Sequence, residues 1–312
     1  MNTTNATGVA EVAKVAEVAK AALFSSMHTH TIFCDGKDDV ETMCRAAYEK
    51  GLFAIGFSAH APISKQIGKE SEWNLKEDKV EQYIYEVNAA KKRWENRLKV
   101  FLGYEADYIK GRRSPKDKDI TSLNLDYIIG SVHYIFPENG AAPFTIDGPY
   151  EEFETGLKEG FNGDGGALMN YYYDAVAEMI KIGGFDILGH VDLIKKNSKN
   201  KKYWTEESEL SRQKEISELL AKKNSENTTI VVEVNTGGLN RKKLDEVYPS
   251  PAFLRLIHEK NLPVIITSDA HCAKDINGNY ELAVNTLLGL HFKDHVLFNG
   301  KIIWQNEKLK KY

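Results

Sequence analysis

Six of the nine histidines stand where a short apolar run gives way to polar sequence: His28, His30, His60, His133, His190 and His271. Glu105 and Asp269 hold the same kind of position, and Asp35 follows the first run in Cys34-Asp35-Gly36. Imidazoles and carboxylates gathered without thiolates are the donor set of zinc, manganese or iron. Residues two apart on an extended chain face the same side. His28-Thr29-His30 can therefore present two imidazoles to one ion, and Asp269-Ala270-His271 a carboxylate and an imidazole. A lone His-x-His is weak evidence, but this one is followed by further donors at the end of nearly every later run. Burying so many ionisable groups together is costly unless they are paired or bind metal.

Other residues read more plainly. His258 lies inside a helical pattern and is expected to be structural, while His291 and His295 sit in a polar C-terminal segment and are expected at the surface. Cys34 and Cys272 neighbour the metal donors but lack a companion base, so each reads as a bystander thiol. Tyr171, Tyr172 and Tyr173 have the look of a base-stacking strip, yet beside Val176 and Met179 at helical spacing they fit interhelix packing.

The elements that must position these donors follow from the same runs. Residues 23–28, 53–60, 99–105, 126–133, 185–190, 229–235 and 263–271 are short, apolar and end in polar residues. Segments 41–51, 80–96 and 252–261 carry apolar residues at helical spacing. Strand–helix alternation implies a parallel sheet covered by helices. Seven such units, with no Gly-rich phosphate loop after the first, imply an α/β barrel with its site at the carboxyl ends of the strands. Residues 9–22, VAEVAKVAEVAKAA, read as a helix, giving a helical arm at 1–24 ahead of a barrel domain at 25–312. Two insertions, 136–170 and 195–207, follow strand ends and suit either plain surface loops or a substrate lid.

The chain has 312 residues, enough to bury a large core without disulfides or structural metal. Lys plus Arg is 41 against Asp plus Glu 45, which is not the basic field of a nucleic-acid binder. Three cysteines argue against a disulfide framework and for a reducing compartment. No run approaches the length of a membrane span, and the N-terminus lacks the pattern of a secretory signal. The expected location is the cytoplasm, with a small molecule as partner, no nucleic acid and no membrane. Nothing in the sequence sets an oligomeric state.

Over residues 25–300 the sequence resembles the PHP family (polymerase and histidinol phosphatase), in the segments HTHTIFCDG, GFSAHAP, GYEADY, DYIIGSVH, DILGHVDLIKK, EVNTGGLNR and SDAHCAKD. SAHAP, SVHYI and HVDLIKK are similar to its histidinol-phosphatase branch. The resemblance implies a distorted seven-stranded (β/α)7 barrel of TIM type with three divalent metal ions. His28, His30, Glu105 and Asp269 would hold the first and Asp35, His60 and His271 the second. Glu105, His133 and His190 would hold the third. Some relatives carry histidine at the position of Asp35; a carboxylate is a harder ligand and moves preference from zinc towards manganese or iron.

The implied reaction is hydrolysis of L-histidinol phosphate to L-histidinol and phosphate, a step of histidine biosynthesis, with a metal-bridging hydroxide as nucleophile. Asp269, His271 or a metal-bound water is expected to protonate the leaving group. A phosphate also wants a cation, and Arg241 comes first, then Lys195 and Lys196. The competing readings are a phosphatase for phosphotyrosine, a nucleotide or a sugar phosphate, and a non-catalytic metal-binding protein. An amidohydrolase would place a bridging lysine at a middle strand, where this sequence has Glu105 and His133.

Overall fold

The apolar runs become strands because both of their faces are covered. In a parallel barrel the inner face meets other strands and the outer face meets helices, so the runs are apolar throughout rather than alternating. The computed structural model describes residues 24–63, 71–198, 203–226, 229–300 and 304–310. The helical arm expected at 1–24 therefore lies almost wholly outside the described residues. The barrel strands are β1 (Ser25–Ser26), β2 (Ala54–His60), β3 (Lys99–Asp107), β4 (Tyr127–Ser131), β7 (Ile187–Leu188), β8 (Val231–Asn235) and β9 (Val264–Thr267). The order around the sheet is β1-β2-β3-β4-β7-β8-β9, and every pairing is parallel.

The ring closes from β9 back to β1. The amide of His30 donates to the Ala270 carbonyl at 2.9 Å, and the amide of Ala270 donates to the His28 carbonyl at 3.2 Å. The bonds that close the barrel thus hold His-x-His directly against Asp-x-His. The outcome is the α/β class and the distorted seven-stranded barrel expected from the sequence.

The covering helices start and stop for local reasons. In α1 (Val40–Glu49) the Asp39 side chain accepts the Thr42 amide at 2.7 Å, an N-cap, and Gly51 at φ 69° ends the segment. Its buried residues Val40, Met43, Cys44 and Ala47 recur at helical spacing and face the sheet. Helix α2 (Val80–Trp94) buries Tyr83, Val87, Ala90 and Trp94 in the same way. A four-residue turn, α3 (Lys118–Thr121), precedes β4.

The first insertion is not a plain loop. A short antiparallel hairpin, β5 (Tyr134–Ile135) with β6 (Phe144–Thr145), leads into α4 (Tyr150–Phe161) and then α5 (Gly165–Ile182). Tyr172 and Tyr173 are buried in α5, as core packing rather than a stacking strip. The second insertion opens with a single turn, α6 (Lys195–Ser198), and reaches α7 (Glu206–Ser225). Strand β8 is followed by the turn α8 (Gly237–Asn240), and helix α9 (Pro251–Glu259) is capped by the Ser250 hydroxyl.

After α10 (Tyr280–Gly289) the chain adds an antiparallel hairpin, β10 (Asp294–Phe298) with β11 (Trp304–Lys308). Val296 and Phe298 join Met27, Tyr127, Ile129, Ile187, Val231 and Ile265 in one apolar cluster that fills the barrel interior. This corrects the expectation for His295. It sits on β10 at 2 % exposure, its ring stacked on Phe24 with centroids 5.0 Å apart, because the segment is a packed strand and not polar surface. His291 is exposed, as expected.

Candidate metal centre

All nine expected donors come together at the carboxyl end of the barrel. Glu105, on β3, lies at their centre and is fully buried. Its Oε2 stands 3.0 Å from His28 Nε2, 3.1 Å from His60 Nδ1 and 3.6 Å from His30 Nε2. Its Oε1 stands 2.9 Å from His190 Nε2 and 3.5 Å from His133 Nε2. One carboxylate therefore faces five imidazoles, three through one oxygen and two through the other. Register explains part of this: β2 and β3 pair His60 directly with Glu105.

Asp269 lies 3.4 Å from His30 Nε2 and 3.8 Å from His28 Nε2 through Oδ1. It has a positive φ of 49°, the left-handed region that non-glycine residues seldom occupy without a reason. Asp35 stands 3.0 Å from His271 Nε2 and 3.4 Å from His30 Nδ1. Donor atoms that lie within 4.8 Å of one another form overlapping groups, among them His30 with Asp35, His60 and His271, His28 with His30 and Glu105, and Glu105 with His133 and His190.

These residues fit divalent metal. His30 Nε2 and His60 Nδ1 are buried and make no hydrogen bond among the described residues, although carboxylate oxygens lie close by. Lone pairs aimed at a shared gap are costly as they stand and natural for coordination. The donors are nitrogen and oxygen, the set that suits zinc, manganese and iron. Cys34 stays a neighbour, its thiol 3.5 Å from His30 Nδ1 and pushed up to about 12 chiefly by burial, so it is a poor thiolate donor.

Electrostatics divide the cluster. Burial lowers the His28 pKa, but Glu233, Glu105 and Asp269 outweigh it and raise the imidazole well above its usual value. His133 is likewise opposed by burial and raised to about 10 by Asp107 and Glu105. His30 is lowered to about 3 by burial and by the neighbouring His271 and His60. Burial pushes Glu105 up, and His28, His60 and His133 pull it well below the ordinary carboxylate range. Asp269 is also pushed up by burial and pulled well below by Arg241, His28, His30 and His271.

Behind the donors stand two buried acids that the sequence reading did not single out. Glu233, in the middle of β8, places Oε1 2.6 Å from His28 Nδ1. Asp107 places Oδ1 2.7 Å from His133 Nδ1. Both could be found by their period: Asp107 is two residues after Glu105 on one strand, and Glu233 is an acid inside an otherwise apolar strand.

The donors open onto a cavity of about 510 Å³. Arg241 lines it and is tied to Asp269 twice, from its NH2 nitrogen to Oδ2 at 2.8 Å and from its NH1 nitrogen to the backbone carbonyl at 3.2 Å. Lys196 also lines it, with Nζ 3.1 Å from Asp147 Oδ2. Lys195 does not line it. Its Nζ is turned to Glu246 at 2.9 Å, the Val247 carbonyl at 2.7 Å and Asp192 at 3.1 Å, because adjacent residues on a helical turn project about 100° apart. The inserted segments supply Thr145, Asp147, Gly148, Tyr150 and Asn197 to the wall, and Trp73 adds an aromatic face.

A protein of Deinococcus radiodurans named "Probable histidinol-phosphatase" is 30% identical over 261 residues, covering 83% of this chain and 91% of that one. The histidinol-phosphatase of Bacillus subtilis is 26% identical over 273 residues, covering 81% and 96%. Among solved structures, HisK of Listeria monocytogenes superposes with a TM-score of 0.69 at 24% identity, covering 83% of this chain and 99% of that one. Histidinol phosphate phosphatase of Lactococcus lactis, solved with zinc, L-histidinol and phosphate, gives 0.61 at 19% identity, covering 89% and 97%. At those identities the two structures show a shared fold. The model of the PHP domain matches residues 26–237, from β1 to the start of α8 and most of the donors with it. The chain belongs to the PHP domain family.

Proposed function

We propose that the chain is a metal-dependent phosphomonoesterase that hydrolyses L-histidinol phosphate to L-histidinol and phosphate. The observation that carries the chemistry is Glu105, buried with both oxygens against five imidazoles. The substrate follows from the relatives named histidinol-phosphatase, which this chain matches over most of its length.

Three divalent ions would be held by His28, His30, Asp35, His60, Glu105, His133, His190, Asp269 and His271, with Glu105 shared through its two oxygens. When bound, such ions neutralise phosphate charge and lower the pKa of water towards about 7. Asp35 adds a hard oxygen donor and favours manganese or iron over zinc. Arg241 is held by Asp269 with its guanidinium at the cavity wall, where it would steady a phosphate oxygen. Of the two residues considered as proton donor, Asp269 is held ionised, whereas His271 is opposed by burial but raised by Asp35 and Asp269. Those opposite directions favour His271 over Asp269 as the proton donor. Its free thiols suit the cytoplasm as its location.

The test is phosphate release from L-histidinol phosphate, p-nitrophenyl phosphate and a nucleotide by protein loaded with Mn²⁺, Fe²⁺ or Zn²⁺. We expect histidinol phosphate to be preferred by about 10³-fold in kcat/KM, or about 4 kcal/mol of discrimination. Turnover of the generic ester alone would remove the histidinol assignment and keep the phosphatase. Metal binding with no hydrolysis of any ester would leave a non-catalytic metal protein.

A further inference from the structure

The turn Ile146-Asp147-Gly148 follows β6 and is held at the cavity from across its mouth. Asn197 Nδ2 donates to the Ile146 and Gly148 carbonyls, both at 3.1 Å, and Lys196 Nζ donates to the Asp147 carbonyl and, at 3.1 Å, to Asp147 Oδ2. Two adjacent residues of α6 therefore fix the backbone of the inserted loop and the orientation of one carboxyl group. Such bracing is what a binding group needs if it is to meet a ligand without first being ordered.

Asp147 is, among the described residues, the one carboxylate lining the cavity that is not a candidate metal donor; the others are Asp35, Glu105 and Asp269. Lys196 occupies its Oδ2. Its Oδ1 accepts no hydrogen bond from the described residues, and the side chain keeps 28 % exposure. Trp73 stands on the same cavity wall, its ring stacked on Tyr134 with centroids 5.6 Å apart. The cavity thus has a donor-rich floor that suits a phosphate and, on the inserted loop, a braced carboxylate oxygen that suits a cation.

We propose that Asp147 Oδ1 receives the ammonium group of the substrate and so selects phosphomonoesters that carry a cationic nitrogen. The inference rests on the phosphomonoesterase reading above. A charge-assisted hydrogen bond in a partly desolvated cavity is stronger than a neutral one. A site built for such a group also rejects a ligand that lacks it, because its own polar atom is left unpaired.

The experiment is calorimetric binding of two probes, L-histidinol and inorganic phosphate, to metal-loaded wild type, Asp147→Asn and Asp147→Glu. Histidinol carries the ammonium without a phosphate, and phosphate is an anion without an ammonium. We expect Asp147→Asn to weaken histidinol by about tenfold or more, with phosphate affinity within about threefold of wild type, and Asp147→Glu to recover part of the loss. Equal loss for both probes would mean a structural role and overturn the proposal. Unchanged histidinol affinity, or a wild type that does not bind histidinol, would overturn it as well. Phosphate release from L-histidinol phosphate by the same wild-type preparation reports separately on the catalytic reading. If hydrolysis fails while the Asp147 dependence of histidinol binding holds, the catalytic reading is the one that falls.

Discussion

His28 Nδ1 lies 2.6 Å from Glu233 Oε1, with both side chains fully buried. Glu233 also accepts from the His190 amide and the Thr267 hydroxyl, each at 2.7 Å, and from Asn235 Nδ2 at 3.1 Å. A carboxylate surrounded by donors fixes the His28 proton on Nδ1 and leaves Nε2 to face Glu105 and Asp269.

From that relationship we expect Glu233→Gln to weaken metal binding by about 10- to 100-fold, since an amide nitrogen would face a donor and the imidazole would lose its anchor. Competition against a chelator of known affinity measures this. A Glu233→Gln protein that binds metal as tightly as wild type would show that the carboxylate does not orient the ligand.

Glu105→Gln is expected to act on the centre directly. It keeps the shape but removes the charge that five imidazoles face, so purified protein should carry less metal and lose about 10³-fold or more in kcat/KM. Elemental analysis and phosphate release on one preparation give both readouts. Full metal content with near-normal turnover would end the case for Glu105 as the shared ligand.

The cations differ in what their contacts imply. Arg241→Ala should lower kcat/KM by about tenfold or more while metal content stays, because the guanidinium is at the cavity and Asp269 keeps its imidazole neighbours. Arg241→Lys should recover little, since the ties to Oδ2 and to the backbone carbonyl use a fork that an ammonium lacks. Lys195→Ala should leave kinetics near wild type and lower the melting temperature, because it removes a cation from the fully buried Asp192. Steady-state kinetics with thermal unfolding separates the two outcomes. A Lys195→Ala protein with impaired turnover and unchanged stability would put that lysine back in the site.

How much of this was legible follows from what period and strand position can carry. The donors were readable because a parallel barrel turns the end of every strand to one face, so His60, Glu105, His133 and His190 needed no tertiary knowledge to be grouped. Asp107 lies on the strand of Glu105 and Glu233 on β8, but their role exists only in the contact each makes with an imidazole from elsewhere in the chain, 26 and 205 residues away. Lys195 and Lys196 are adjacent in sequence, and only the turn of α6 decides which one reaches the cavity. His295 was misread because the partners that bury β10, among them Phe24 under the His295 ring and Met27, Tyr127 and Val231 around Val296 and Phe298, are not local.

Metal binding should release protons. Without metal, His133 is raised to about 10 and is protonated at pH 7.5, His28 is raised well above and His271 above the ordinary imidazole value, and His30, lowered to about 3, is neutral. A ligand nitrogen must give up its proton to coordinate. His28 can keep the proton it shares with Glu233 on Nδ1 and His133 the one it shares with Asp107, so each loses the proton on Nε2. The sign follows: apparent affinity rises with pH, and the share due to His133 is complete above about 10, once it has lost its extra proton. Calorimetric titration of metal into metal-free protein, in buffers of different ionisation enthalpy at pH 7.5, should show about two or more protons released per centre filled. Identical enthalpies in all buffers would mean that the raised imidazoles are not the groups the metal takes.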